Sequence, residues 1–310
     1  MSVFDFPGRV SWLLIAVSGA AAYAALLALG VTIELGRIAL TVMLVAFFLA
    51  GSFFYLHIRP DRRLAIVTAA TAFTLAFAAS TGVLTYPAAA TGEPTRDAMF
   101  MAFEHWIGID WRALVDALTS SSLANTCLTL AYLSSLPQIP LTILVLGFVD
   151  RPERLATYLS LLPVTLLCTI ALFALAPAFG PIPSYGIDGE LFGRLGFGGK
   201  SFLPDFLALR QGRFTSFDLA RMEGMVTFPS FHCVLAVLTA WALLPVRFIG
   251  VAAIILNVVV VISTVPVGGH YIADVAAGLT IAFVGLAIWT RNALRHPVTR
   301  DLVHLTPKDA

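Results

Sequence analysis

Long apolar runs dominate this sequence and set what it can fold into. About eight of them reach the roughly 20 residues that a membrane-crossing helix needs. They cover about 10–30, 38–56, 64–86, 122–148, 155–176, 229–246, 248–266 and 268–290. The chain is 59% apolar and 12% charged, half the roughly 25% charge of an average soluble domain. Such a chain cannot cover a globular surface, and it is too apolar to be disordered. Three isolated cysteines, Cys127, Cys168 and Cys233, make no disulfide framework. A net charge of +1 gives no argument for nucleic acid. The expected fold class is an all-α integral membrane protein with about eight transmembrane helices. The first run follows Asp5 and Arg9 and ends without a clear small-residue cleavage site, so it reads as a retained helix.

Orientation follows from Lys and Arg in the loops. Arg9, Arg59, Arg62, Arg63, Arg151, Arg154 and Arg247, with Arg291, Arg295, Arg300 and Lys308 of the tail, fall on one side of an eight-span chain. Outside one long loop, the other side has only Arg37, Arg96 and Arg112. Both termini are expected in the cytoplasm, and the long loop, 177–228, in the periplasm or exterior. The localisation implied is the cell (inner) membrane. We divide the chain into N-terminal transmembrane helices (1–94), a catalytic membrane domain (95–290) and a polar cytoplasmic tail (291–310). Residues 95–120 mix acids with aromatics. They either lie at the membrane surface, with Trp106 and Trp111 at headgroup level, or pack on the bundle as an ordinary amphipathic helix.

The chemistry is expected where ionisable groups enter the apolar runs. Asp274 is the one acid inside a span, and such groups are costly and usually functional. His270 lies four residues before it, on the same face of a helix if both are helical. An Asp so placed fixes one ring nitrogen and leaves the other free. A second histidine, His232, follows Thr227-Phe-Pro-Ser-Phe. Pro229 suits a first helical turn, and Ser230 with the free amides there makes a site for an anion. His57, His105, His296 and His304 read as structural or solvated. A metal triad of His232, His270 and Asp274 lacks the carboxylate cluster or Cys pair that usually accompanies such a site, so no metal and no cofactor is expected.

Pro229-Ser230-Phe231-His232, followed by Ser263-x6-His270-x3-Asp274, resembles the second and third motifs of the type 2 phosphatidic acid phosphatase superfamily. Gly268-Gly269-His270-Tyr271-x2-Asp274 is most similar to its branch that includes inositol phosphorylceramide synthases. Asp110-Trp111, Tyr132 and Pro137-Gln138 also look like that branch. The resemblance covers about 95–290 and implies a six-helix catalytic bundle. The superfamily's first motif, Lys-x6-Arg-Pro, is missing: Arg59-Pro60 has Ser52 where Lys belongs, and Arg151-Pro152 has Leu144. The third motif has Thr264 where Arg is usual. Arg210, then Lys200, of the long loop are the candidate replacements.

The resemblance implies phosphoryl transfer with His270 as nucleophile, Asp274 orienting it and His232 as acid and base. Ser230, Gly269, Arg210 and Lys200 would hold the phosphate. The partners implied are a membrane lipid phosphate or phospholipid and either water or a hydroxyl acceptor on a lipid or polyol. A different class, a non-enzymatic transporter or lipid-binding protein, fits the spans loosely; Pro137 and Pro140 would supply its broken helix.

Overall fold

The computed structural model describes residues 3–186 and 202–295. It is almost wholly helical. The helices are α1 (Arg9–Ala28), α2 (Leu35–His57), α3 (Arg62–Ser80), α4 (Asp97–Trp106), α5 (Trp111–Leu118), α6 (Ser122–Ser134), α7 (Gln138–Phe148), α8 (Pro152–Leu175), α9 (Phe202–Arg210), α10 (Phe231–Leu243), α11 (Arg247–Ser263) and α12 (Ile272–Arg295). Among the described residues the only sheet is a parallel pair, β1 (Thr32–Ile33) with β2 (Ser216–Phe217).

Each of the eight apolar runs is helical, but they are not equal. Five helices, including α3 extended by short turns to Ala89, are long and apolar enough to cross a membrane. The fourth run is broken, α6 and α7 meeting at 61°. The break falls at Pro137, which has no N–H to continue the helix. The sixth and seventh runs give α10 and α11, of 13 and 17 residues. Thirteen residues rise only about 20 Å, so α10 is shorter than the run 229–246 suggested.

Apolar burial alone does not hold helices together in lipid. Small residues and polar contacts do so here. Ser11 bonds Ser160 at 2.9 Å, Ser18 bonds Thr81 at 2.8 Å, and Tyr158 bonds Thr239 at 3.2 Å. Asn257 Nδ2 donates to Gln138 Oε1 at 2.8 Å, tying α11 to the break between α6 and α7. Contacts of this kind are worth about 0.6 kcal/mol each in a bilayer. One apolar core runs through Ile15, Phe73, Leu159, Phe206 and Leu235, so the N-terminal helices share it with the rest. By contrast α2 buries only Ser52. The described part of the long loop is also anchored, through β2, Phe206 and Met225.

Candidate active site

Two helix starts meet at the centre of the site. The Ser230 amide donates to the Asp274 carbonyl at 3.0 Å. A Cβ on Gly278 would stand 2.3 Å from Ser230 O; only glycine lets α12 approach so closely. The rings of His232 and His270 lie 6.5 Å apart between centroids. His232, His270, Asp274, Ser230 and Gly269 are thus gathered at one end of the bundle.

His270 does not sit on the helix with Asp274. It precedes Ile272, the first residue of α12, at the end of a turn through Gly268 and Gly269. Gly269 has φ +63°, a left-handed conformation that glycine adopts without cost. Across the helix start, His270 Nδ1 lies 3.2 Å from Asp274 Oδ2. The same oxygen accepts the Tyr271 amide at 2.9 Å, as an acid at the third helical position commonly does. A carboxylate only accepts, so Nδ1 carries the proton and Nε2 keeps its lone pair. His270 and Asp274 are buried, at 4% and 0% exposure.

His232 is the second residue of α10, and Ser230 is its N-cap. Pro229, expected in the first turn, lies just before the cap instead. No side chain caps α10. The Tyr132 ring stacks on His232 with centroids 4.4 Å apart, its hydroxyl 3.4 Å from Nδ1. Ser230 Oγ and Asp274 Oδ1 are buried without a hydrogen-bond partner.

The segment 95–120 packs on the bundle, and two of its acids, Asp97 and Glu104, are buried. Asp97 accepts the Phe179 and Gly180 amides at 3.0 Å, and the Ser184 and Tyr271 hydroxyls at 3.1 Å. Glu104 accepts the Ile272 amide and the Tyr185 hydroxyl, both at 2.8 Å. Burial raises the Glu104 carboxyl above the usual carboxylate range, against these bonds. Trp106 is 81% exposed, as a headgroup-level residue would be, but Trp111 is fully buried and donates to His270 O at 3.0 Å. The headgroup placement of Trp111 is therefore corrected: its indole N–H is used inside the protein.

The loop cations are less central. Arg210 donates to the carbonyls of Thr91 (3.1 Å) and Glu93 (2.7 Å) and lies over Phe206; none of these bonds reaches the histidines. Lys200 lies outside the described residues. Among the described residues no group of three or more His, Cys, Asp or Glu is placed to hold a metal ion.

A family model described as the PAP2 superfamily matches residues 98–288. The chain belongs to the PAP2 superfamily. The match takes in both histidines, Asp274 and Glu104, and leaves α1–α3 outside it. Membership supports a lipid enzyme of the phosphatase or phosphotransferase type, and with the apolar helices it identifies an integral membrane protein. Neither a curated protein nor a solved structure matches the chain significantly.

Sequence reasoning missed Asp97 and Glu104. Their signal was present: two acids seven residues apart in an otherwise apolar, aromatic helix share one face.

Proposed function

We propose that this PAP2 superfamily member transfers the phosphoryl group of a lipid phosphate through a phosphohistidine on His270. One observation carries the reading: His270 Nδ1 faces Asp274 Oδ2 at 3.2 Å, with His232 6.5 Å across the gap. Nε2 of His270 forms a bond to phosphorus as the phosphorus–oxygen ester bond breaks. His232 gives its proton to the departing oxygen. It then takes one from the acceptor hydroxyl, whose oxygen attacks phosphorus and releases His270. Asp274 stabilises the positive charge on His270.

The anion site is assigned to α10 rather than α12. The first amides of α12 are already taken by Asp274 and Glu104, whereas no side chain caps α10. Ser230, with its unpartnered buried hydroxyl, and the turn at Gly269 complete the cradle. The acceptor is proposed to be a hydroxyl on a lipid or polyol, as in inositol phosphorylceramide synthase-like enzymes. The Gly268-Gly269-His270-Tyr271-x2-Asp274 form, similar to that branch, supports this. The Lys and Arg distribution supports a site on the outer face with both termini in the cytoplasm.

The test is a lipid screen on the purified protein. Phosphatidic acid, lipid diphosphates, and phosphatidylinositol with ceramide are assayed for both free phosphate and headgroup transfer. His270→Ala is expected to abolish either product. Turnover that survives this change overturns the assignment. Release of phosphate without transfer overturns the hydroxyl acceptor alone.

A further inference from the structure

Three consecutive residues at the nucleophile are each held by a different side chain of one segment. His270 is held through its carbonyl by Trp111, Tyr271 through its hydroxyl by Asp97, and Ile272 through its amide by Glu104. Asp97 and Glu104, seven residues apart, share one side of α4, and Trp111 opens α5 after the turn at Gly108. Asp97 also holds residues 179, 180 and 184, and Glu104 holds Tyr185. The two acids therefore join three parts of the chain that are far apart in sequence.

Buried carboxylates are costly, and apolar residues of similar size would often serve stability better. Among the described residues neither acid pairs with Lys or Arg. Each is kept by N–H and O–H donors alone; one donor of each, the Tyr271 hydroxyl and the Ile272 amide, comes from the two residues that follow His270, and the others come from 179–185. Other bonds hold the turn that carries His270 from within: the Val267 and Gly268 amides donate to Ser263 O, the His270 amide to Thr264 O, and the Tyr271 amide to Asp274. The turn holds two glycines and lies outside any helix, and Nε2 must meet phosphorus along a narrow path.

We infer that Asp97 and Glu104 are positioning residues for phosphoryl transfer: by fixing Tyr271 and Ile272, they aim His270 and its Asp274 partner. This rests on the reading of His270 as nucleophile. Their bonds go to N–H and O–H groups of the protein itself, so the expected effect is on the rate of chemistry rather than on lipid binding.

The test uses the full-length protein in liposomes, with Asp97→Asn, Glu104→Gln, Tyr271→Phe and the double variant Asp97→Asn/Tyr271→Phe. Expected is a fall in kcat of about ten- to a hundredfold, with KM changed by less than about twofold. The loss in the double variant should be smaller than the product of the two single losses, since the two changes share the Tyr271–Asp97 contact. A second readout needs no turnover: the rate at which diethyl pyrocarbonate modifies His270, measured by mass spectrometry against His232 in the same molecule. It should change at His270 and hold at His232. If folded variants keep wild-type kcat and wild-type His270 reactivity, the inference fails. It also fails if activity falls only in step with the folded fraction. Should Asp97→Asn not fold, Tyr271→Phe and Glu104→Gln decide the question. A wild-type protein without turnover on any lipid phosphate, but with altered His270 reactivity in the variants, overturns the nucleophile reading and leaves the positioning intact.

Discussion

The Ser230 amide donates to the Asp274 carbonyl at 3.0 Å, and this one backbone bond joins the helix that carries His232 to the helix that orients His270. Neither histidine needs a long side chain to reach the other, because the main chains already touch. The contact is made possible by Gly278, where a Cβ would stand 2.3 Å from Ser230 O and 3.0 Å from Cys233 Cβ.

Gly278→Ala is therefore expected to push α10 and α12 apart. Both obstructing atoms are backbone or Cβ, so no side-chain rotation relieves the clash. The expected cost is about 1–3 kcal/mol of stability. Turnover should fall more steeply than the folded fraction, because the gap between the histidines widens. Thermal unfolding monitored by tryptophan fluorescence, run beside the lipid assay, separates the two effects. Gly30→Ala, where nothing lies within 4 Å, controls for glycine substitution; its φ of +76° carries only a local backbone strain.

Asp274→Asn should be nearly neutral in shape and severe in rate. One oxygen of Asp274 faces both the Tyr271 amide and His270 Nδ1, so an Asn oxygen in its place keeps both contacts, while the negative charge that stabilises the His270 imidazolium is lost. A loss in kcat of about 10³–10⁴ is expected, the size seen when an orienting Asp is replaced in this way. Unchanged phosphohistidine formation in a rapid-quench measurement would remove Asp274 from its proposed role.

His232 is assigned to the leaving group, so its importance should depend on that group. With an alkyl lipid phosphate, His232→Gln is expected to slow turnover by about 10²–10⁴. With an aryl phosphate, whose oxygen leaves without a proton, the first step should be nearly restored and phosphohistidine should accumulate. Equal losses on both substrates would exclude a general acid at this position. Tyr132→Phe keeps the stacked ring and removes the hydroxyl near Nδ1. It should cause a smaller loss, about tenfold, because a 3.4 Å contact is a weak hydrogen bond.

The proposed catalytic trio stands out in the sequence because ionisable groups inside apolar runs contrast with the cost of burying them. His232, His270 and Asp274 needed only spacing and a side of the membrane to be brought together. What spacing could not show was the local geometry. His270 and Asp274 were expected on one helix face, but they meet across a helix start after Gly269. Pro229 falls outside the helix it was expected to begin. Asp97 and Glu104 read as loop acids, because the donors that hold them come from residues about 80 to 175 positions away, and a single sequence does not display such contacts. Trp111 suited the headgroup region by type, yet its N–H found the His270 carbonyl. The break at Pro137 was open to reading from the prolines; its angle was not.

Orientation is the last claim open to direct measurement, and it rests on charge alone. Ala220, near β2 and on the same side of the expected topology as His270, is exposed, as is Glu153 at the start of α8. Cys127 and Cys168 are exposed and would give background, so both are first replaced by Ala. In that protein, Ala220→Cys in intact cells should react with a membrane-impermeant maleimide, and Glu153→Cys should react only after lysis. Physical screening by the bilayer makes the contrast close to all-or-none. The reverse pattern would place the histidines at the cytoplasmic face and restrict their lipid phosphate to the inner leaflet.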